Sequence, residues 1–276
     1  MAQQTTFDKF YSALNKARYS AIEPLLLRRA RNLNTFDYRR TDPLISVYVP
    51  TYNRGEILIE RSINSILAQT YQNFELIVIG DCCTDNTVEL MAGVTDPRVR
   101  FYNNLTKRNW RYPPTAENHW LAGPVVAANA ALTQIRGQWI ARNDDDDVWL
   151  PDHLEKLLKV AVANDYEFVS SSYTTIVNGA EQVIDSSGDN PPIGGTQTWL
   201  YRSYLKFFRY NINCWRKAWN RVNDTDIQER FVDAGVRVGY LRDVTTIITP
   251  RPGETQIGSK AYLANSQKYE QIFDFR

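Results

Sequence analysis

The sequence centres on a stretch with four consecutive carboxylates, Asn143-Asp144-Asp145-Asp146-Asp147-Val148-Trp149. Adjacent carboxylates repel one another, and a divalent cation with oxygen ligands offsets that repulsion best. The run follows an apolar segment, residues 138–142, which predicts a short buried strand, and it precedes leucines at helical spacing. Acidic residues between a strand and a helix occupy the edge at which open α/β sheets bind ligands. A solvated acidic loop is the alternative, but the apolar strand and Trp149 favour a ligand site.

The residues before this stretch alternate between strand and helix patterns. Residues 44–49 and 74–79 are β-rich apolar runs, and a polar loop that contains glycine closes each of them. Helical spacing follows at residues 59–67, a short helix is predicted over 86–92, and a third strand lies near 99–102. These connections are too long for hairpins, so the pattern predicts an α/β fold with a parallel sheet covered by helices.

The carboxyl-terminal half has a less regular pattern. Residues 104–124 form a loop rich in aromatic residues and proline, and a loop of this length in a compact domain is usually functional. Asn178-Gly179 suits the type I′ turn of a hairpin between residues 173–177 and 181–184. The other predicted elements are a helix over 127–135, a helix after Pro151, a strand at 168–170, a helix that ends at Gly235, and strands over 236–241 and 244–248.

Composition and charge exclude several classes of protein. The net charge of +1 gives no electrostatic case for a nucleic-acid partner. The three cysteines, two of them adjacent, do not suggest a disulfide framework, and no apolar run reaches the roughly 18 residues of a membrane span. The amino terminus lacks the apolar core of a signal peptide, so we expect a cytoplasmic location. The oligomeric state stays open.

Residues 1–43 form a basic helical extension, with eight lysines and arginines against four acidic residues. Phe7, Phe10, Tyr11 and Leu14 recur at the spacing of one helical face. Such a helix either packs its apolar face on the core or lies on the anionic inner face of a membrane as a peripheral contact. Packing is the commoner outcome, and the sequence leaves both alternatives open.

Six motifs in order across residues 44–250 resemble those of inverting family 2 glycosyltransferases with a GT-A fold. They are Val49-Pro50-Thr51-Tyr52-Asn53-Arg54, Ser65–Tyr71, Ile77–Thr87, Asp96–Phe101, the acidic stretch with Pro151, and Asn223-Asp224-Thr225-Asp226. The resemblance implies a Rossmann-like, mixed and mostly parallel sheet flanked by helices. It implies a nucleotide-sugar-binding half at 44–150 and an acceptor-binding and catalytic-base half at 151–254, which leaves 255–276 as a helical tail.

The resemblance also implies roles for individual residues. Asp81 would accept a hydrogen bond from the N3–H of uracil, which makes UDP the default nucleotide. Asp146 and Asp144 would bind Mn²⁺ or Mg²⁺, which bridges the diphosphate and neutralises its charge as it leaves. Asp144 or Asp145 would reach the ribose or a metal-bound water, and the register of the Asp-x-Asp motif stays open because all four positions are Asp. The loop implied to bind the nucleotide consists of Pro50, Thr51, Tyr52, Asn53 and Arg54.

Asp224 is the expected general base, which takes the proton of the acceptor hydroxyl. Asp226 is the second candidate, but it has a structural alternative as a helix cap with Glu229. Two nearby side chains are equally open to structural interpretations: His153 approaches the diphosphate or is an ordinary helix residue, and Trp149 forms a wall for the sugar or packs in the core.

The resemblance therefore implies metal-dependent transfer of a sugar from a nucleotide-diphosphate sugar to a hydroxyl of a saccharide or lipid-linked acceptor. The Gln-x-x-Arg-Trp motif of processive members is absent, which favours transfer of a single sugar. One alternative is a sugar nucleotidyltransferase, but its glycine-rich basic loop is poorly matched by residues 50–55, with one Gly and one Arg. A catalytically inactive protein that binds nucleotide sugars or carbohydrates is the other alternative.

Overall fold

The computed structural model describes residues 5–104, 112–113, 115–177, 180–216, 222–251, 254 and 257–272. Within these residues one mixed sheet contains nine strands. The strands are β1 Ile45–Thr51, β2 Phe74–Gly80, β3 Val99–Asn103, β4 Trp139–Arg142, β5 Val148–Trp149, β6 Phe168–Val177, β7 Ala180–Ile184, β8 Leu200–Arg202 and β9 Val238–Ile248. Their order across the sheet is β3-β2-β1-β4-β8-β6-β9-β5, and β7 pairs with β6.

The first four strands are parallel to one another. β1 pairs with β2 and β4, and β2 pairs with β3. Every residue of β1 and β2 is buried, as expected for strands covered by helices on both faces. The prediction of an α/β fold with a mixed, mostly parallel sheet is therefore confirmed.

The second half of the sheet contains the antiparallel pairs. β8, which the sequence did not predict, lies between β4 and β6 and is antiparallel to both. The predicted hairpin pairs β6 with β7, and its turn at residues 178–179 lies outside the described residues. The two strands predicted over 236–241 and 244–248 are one strand, β9, which a bulge opposite Ser171 and Ser172 allows to continue.

Ten α-helical segments surround the sheet in the described part of the chain. They are α1 Thr6–Leu33, α2 Gly55–Ile57, α3 Asn64–Leu67, α4 Thr87–Ala92, α5 Ala116–Ala122, α6 Val125–Gln134, α7 His153–Ala163, α8 Asn223–Ala234, α9 Ser259–Ala264 and α10 Ser266–Ile272. A π-helical segment, Leu58–Ile63, joins α2 to α3. None of these helices is long and apolar enough to cross a membrane.

Several helices differ from the sequence prediction in ways that bear on the site. α5 lies inside the predicted 104–124 loop, where Thr115 caps its first turn. The predicted helix over 59–67 begins earlier, at Gly55, and contains the π segment. α8 ends at Gly235 as predicted, because that glycine adopts φ 86°, which other residues rarely adopt.

The apolar face predicted for the amino-terminal helix does not pack on the core. α1 runs without interruption through Pro24, and Phe7, Phe10 and Leu14 are exposed. The helix packs with its opposite side, on which Leu27 is buried. Of the two alternatives that the sequence leaves open, packing of this face on the core does not occur for Phe7, Phe10 and Leu14, whereas Tyr11 is half-buried.

Candidate active site

A cavity of about 400 Å³ opens at the carboxyl ends of the parallel strands, where open α/β sheets bind ligands. The loop after β1, the end of β2, the acidic run after β4 and the first turn of α8 line it together. Of the residues singled out from the sequence, the lining contains Pro50, Thr51, Tyr52, Arg54, Asp81, Asp144, Asp145, Asp146 and Asp224. Asn53 and Asp226 lie outside the lining.

The backbone of the acidic run is held from below by side chains of the core. Asn143 is fully buried, and its amide nitrogen donates to the Ser62 hydroxyl at 3.1 Å and to the Asp147 carbonyl at 3.3 Å. Arg61, in the π-helical segment, donates to the Asp146 carbonyl at 3.2 Å. The turn that presents the four carboxylates is thus fixed by hydrogen bonds before any ligand enters.

Arginines offset much of the repulsion between the carboxylates. Arg54 donates to Asp145 at 2.8 Å and to Asp146 at 3.2 Å, and Arg251 donates to the same Oδ2 of Asp146 at 3.1 Å. Arg142 donates to Asp144 at 3.0 Å. Side chains of the chain itself therefore offset part of this repulsion, beside any divalent cation that the run would bind.

The four carboxyl groups do not share one environment. Burial raises the pKa of Asp147 well above its usual value, and the neighbouring carboxylates of Asp146, Asp144 and Asp145 raise it further. Burial also raises the pKa of Asp145, against the attraction of Arg54. Burial disfavours ionisation of Asp146 as well, but the nearby arginines outweigh it, so the pKa of Asp146 is lowered. Of these three carboxyl groups, Asp146 is the one whose ionised form its surroundings favour.

Arg142 is a buried cation between the acidic run and α8. Its guanidinium lies 5.1 Å from the centre of the Tyr210 ring, and the Tyr210 hydroxyl lies 2.8 Å from that of Tyr48. In the described part of the chain its Nη1 has no hydrogen-bond partner, although Arg142 lines the cavity. A buried donor without a partner costs free energy, and a ligand oxygen in the cavity can satisfy it.

Asp81 and the Pro50–Arg54 loop form the other end of the cavity. The Asp81 backbone N–H donates to the Thr51 carbonyl at 2.9 Å, so the ends of β1 and β2 are fixed together. Asn53 does not line the cavity. Its side chain accepts a hydrogen bond from the Thr84 N–H at 2.8 Å and so links the loop after β1 to the loop after β2.

Gly80 stands where the resembled family often has a second Asp, and close packing explains the glycine. A Cβ at this position would lie 2.6 Å from Oδ1 of Asn103. That oxygen accepts from the Cys83 N–H at 2.8 Å, and the Asn103 amide donates to the Cys83 carbonyl at 3.0 Å. A larger residue at position 80 would displace the side chain that fixes the turn after Asp81.

The two candidate bases occupy different surroundings. Asp224 is half-buried in the first turn of α8 and faces the cavity. Burial raises the pKa of Asp224, and the charge of Arg142 partly opposes that rise. Asp226 is fully buried and accepts from Arg230 at 3.3 Å within the same helix. Because Val222 rather than Asp226 precedes the helix, the expected capping role of Asp226 is wrong, and the residue forms an internal ion pair instead.

His153 and Trp149 take the structural alternatives that the sequence left open. Both are buried, and their rings stack with centres 4.0 Å apart. His153 Nδ1 lies 2.7 Å from the Thr245 hydroxyl, and Trp149 Nε1 donates to the Gln197 carbonyl at 2.7 Å. Neither side chain lines the cavity, so neither contacts a diphosphate or a sugar there.

The carboxylates also suit a divalent cation. The described residues contain no group of three acidic, His or Cys side chains that could hold a metal alone. Mg²⁺ and similar ions in phosphate sites need only one or two carboxylates, since the substrate phosphates and water complete the coordination. Both arginine contacts to Asp146 end on Oδ2, and Asp144 lies in the same lining. The donor set therefore fits such an ion in the presence of a diphosphate.

Sequence reasoning missed several lining residues. Arg251 follows β9 and reaches Asp146 across more than one hundred residues of sequence, which no local pattern indicates. Arg142 was read only as the end of a strand. Thr196, in a short 3₁₀ turn, donates to Asp144 at 3.1 Å.

Comparison with known proteins agrees with this geometry. The sequence profile of glycosyl transferase family 2 matches residues 46–221, well over half of the chain. The chain belongs to glycosyl transferase family 2. The resemblance drawn from the six motifs is confirmed.

Curated relatives in the family match about half of this chain. The chain is 32% identical over 139 residues to the UDP-Glc:alpha-D-GlcNAc-diphosphoundecaprenol beta-1,3-glucosyltransferase WfgD of Escherichia coli. The matched region covers 50% of this chain and 49% of WfgD. The chain is 30% identical over 132 residues to the putative teichuronic acid biosynthesis glycosyltransferase TuaG of Bacillus subtilis. That matched region covers 48% of this chain and 47% of TuaG. The chain thus spans about half the length of these relatives.

Solved structures share the fold at low sequence identity. S. aureus TarS 1-349 in complex with UDP-GlcNAc matches with a TM-score of 0.59 and 20% identity, over 84% of this chain and 64% of TarS. Mannosyltransferase PcManGT from Pyrobaculum calidifontis, in complex with GDP-Man and Mn²⁺, matches with a TM-score of 0.57 and 19% identity, over 89% of this chain and 70% of that chain. At these identities the likeness shows the GT-A fold.

Proposed function

We propose that this family 2 member transfers a single sugar, with inversion, from a nucleotide-diphosphate sugar to a hydroxyl of a saccharide or lipid-linked acceptor. The observation that carries the proposal is the cavity in which Asp81, Arg54, Asp146, Arg142 and Asp224 meet. It combines an acceptor for a base N–H, cations for a diphosphate and a carboxylate base in one space. Residues 44–150 would bind the donor and residues 151–254 the acceptor.

The end of the cavity at Asp81 and the Pro50–Arg54 loop would bind the nucleotide of the donor. Asp81 is an acceptor-only group when ionised and pairs with the N3–H of uracil, so UDP is the default donor base. The names of WfgD, with UDP-Glc, and of the TarS complex, with UDP-GlcNAc, support this choice. Because PcManGT was solved with GDP-Man, the binding experiment should test GDP, with its guanine base, beside UDP.

The diphosphate would lie against the acidic run and its arginines. Arg54 and Arg251 are within reach of Asp146, so they can turn from that carboxylate to the phosphate oxygens. Arg142 Nη1, a buried donor without a partner among the described residues, gains one from the same ligand. Mn²⁺ or Mg²⁺, held by Asp146 and Asp144, would supply Lewis-acid stabilisation of the leaving diphosphate.

Asp224 is the proposed base on the acceptor side. Its carboxylate takes the proton of the acceptor hydroxyl while that oxygen bonds to C1 of the sugar. The bond from C1 to the diphosphate oxygen breaks on the opposite side, and the nucleoside diphosphate leaves. Attack from the face opposite the leaving group inverts the anomeric centre. Burial raises the pKa of Asp224, which makes its carboxylate a stronger base than that of an ordinary aspartate.

The substitution Asp224→Asn tests the assignment of the base. We expect sugar transfer to fall by about 10²- to 10⁴-fold, the usual contribution of a positioned general base. UDP binding by calorimetry should stay unchanged, because Asp224 lies on the acceptor side. Transfer can be measured as release of UDP from a panel of UDP-sugars in the presence of candidate acceptors.

The matched control is Asp226→Asn, two residues further along α8. Because Asp226 is buried in an ion pair with Arg230, this variant should lose stability rather than transfer rate per folded molecule. A rate loss confined to Asp226→Asn would reject Asp224 as the base. UDP binding without turnover by the unmodified chain, over a broad acceptor panel, would instead indicate an inactive nucleotide-sugar binder.

A further inference from the structure

The outward side of α1 carries apolar side chains that are more than half exposed, although Arg216 lies 5.5 Å from the centre of one of their rings, that of Phe7. Phe7, Phe10, Leu14 and Leu25 are 61%, 65%, 56% and 68% exposed. With about 3.6 residues per turn, their spacing places all four on one side of the helix. Ala17 and Ala21 complete this side. We call the six residues the outer stripe: Phe7, Phe10, Leu14, Ala17, Ala21 and Leu25.

The exposure of the outer stripe does not come from a loosely attached helix. The opposite side of α1 is fixed to the core, where Leu27 is 1% exposed. Three ion pairs hold that side in place: Asp8 to Arg216 at 2.7 Å, Glu23 to Arg230, and Arg31 to Glu167 at 2.6 Å. The helix therefore presents the outer stripe to its surroundings in a fixed orientation.

The exposed charges of α1 all have the same sign. Lys9, Lys16, Arg18, Arg28 and Arg29 are exposed, and none of them forms an ion pair with a described residue. The two acidic residues of the helix are tied into ion pairs on the inner side. Arg18 follows Leu14 by four residues, and Arg28 and Arg29 follow Leu25 by three and four, so arginines flank the stripe.

We propose that the outer stripe of α1 docks on a lipid surface that contains anionic headgroups, with the helix axis in the plane of the membrane. Apolar side chains flanked only by cations fit the boundary between headgroups and acyl chains. A second copy of the chain fits less well, because symmetric pairing through the stripe would bring Arg18, Arg28 and Arg29 of two copies together without acidic partners. The docking goes beyond the proposed function and does not depend on it.

Docking would also fix the orientation of the catalytic half. Glu23 of α1 accepts from Arg230 of α8 at 3.0 Å and 3.1 Å, and Asp224 lies in the first turn of α8. The cavity would thus keep one orientation to the lipid surface, which suits an acceptor carried by a lipid. This consequence, unlike the docking itself, rests on the proposed function.

Sedimentation with lipid vesicles tests the proposal on the full chain. We compare vesicles of phosphatidylglycerol and phosphatidylcholine with vesicles of phosphatidylcholine alone, at low and high salt. The chain should pellet with the anionic vesicles, and the bound fraction should fall as salt screens the attraction. The variant Arg18→Gln/Arg28→Gln/Arg29→Gln should bind about 100-fold more weakly, since each cation near an anionic surface contributes roughly fivefold.

A second variant addresses the apolar contribution. Phe7→Ser/Phe10→Ser/Leu14→Ser should bind at least about tenfold more weakly, because it removes the side chains that enter the lipid. The matched control, Val88→Ser/Val183→Ser, changes exposed apolar residues elsewhere and should bind as the unmodified chain does. Circular dichroism and urea unfolding verify that each variant is folded.

Three results would overturn the proposal. They are a chain that stays in solution with anionic vesicles, a stripe variant that binds as well as the control, and a dimer in sedimentation velocity that the stripe variant abolishes. The last result would assign the stripe to a second copy. Failure of the proposed function gives a different result, namely loss of UDP binding with vesicle binding intact.

Discussion

At the scale of single residues, arginines from distant parts of the chain hold the acidic run: Arg142 donates to Asp144, and Arg54 and Arg251 donate to Asp146. The acidic run was recognised, but its partners Arg142 and Arg251 were not, because one lies in a strand and the other far along the chain. Long-range ion pairs leave no periodic pattern in a sequence. Burial is equally invisible in the sequence. The sequence therefore offers a helix-capping role for Asp226, whereas in the structure Asp226 is buried and paired with Arg230 one turn later.

A prediction at this scale concerns His153. Burial lowers the pKa of His153 to about 3, from a usual value of 6.5. As the pH falls below 6.5, the unfolded chain takes up a proton that the folded chain does not, so stability is lost. Between pH 6.5 and 4.5 this residue alone should cost about 2 kcal/mol in the free energy of unfolding.

The measurement is denaturant unfolding of the unmodified chain and of His153→Asn across that pH range. Asparagine keeps a polar atom near the Thr245 hydroxyl but takes up no proton. The difference in unfolding free energy between the two proteins should narrow as the pH falls. Parallel pH profiles would show that His153 is protonated equally in the folded and unfolded states.

At the scale of secondary-structure elements, periodicity predicted most of what it could. β1, β2, α6 and α8 lie where the apolar patterns indicated, since each buries a continuous apolar face. Short elements were missed: β8 has three residues and α5 seven, too few for a period to be recognised. Their positions depend on tertiary packing against β4 and the cavity rather than on local sequence.

A prediction at this scale concerns the attachment of α1 to α8. Arg230→Leu would leave the buried carboxylates of Glu23 and Asp226 without their shared cation. Removing one partner of a buried ion pair typically costs about 3–5 kcal/mol, and we expect a loss of that size. The control Lys159→Leu changes an exposed cation of α7 and should cost less than about 0.5 kcal/mol. Equal stability of the two variants in urea unfolding would contradict the packing of α1 described above.

At the scale of the whole molecule, motif order predicted more than composition did. The net charge only gave no electrostatic case for a nucleic-acid partner, whereas the six motifs across residues 44–250 indicated the family and the GT-A fold. They also indicated the carboxylates of the cavity lining and the loop after β1, because the motifs follow strands whose carboxyl ends meet at one edge of the sheet. The surface of α1 could not be predicted, since its sequence is apolar on two sides and only the structure shows which side packs.

The most direct test of the central claim is calorimetric titration of UDP into the full chain, with Mn²⁺ and with EDTA, repeated on Asp146→Asn. The control is Asp189→Asn, which changes an exposed aspartate away from the cavity. We predict binding that needs Mn²⁺, that is lost in Asp146→Asn and that is unchanged in the control. No binding of UDP, GDP or dTDP in the presence of Mn²⁺, or binding unaffected by Asp146→Asn, would contradict the assignment of the cavity as a nucleotide-sugar site.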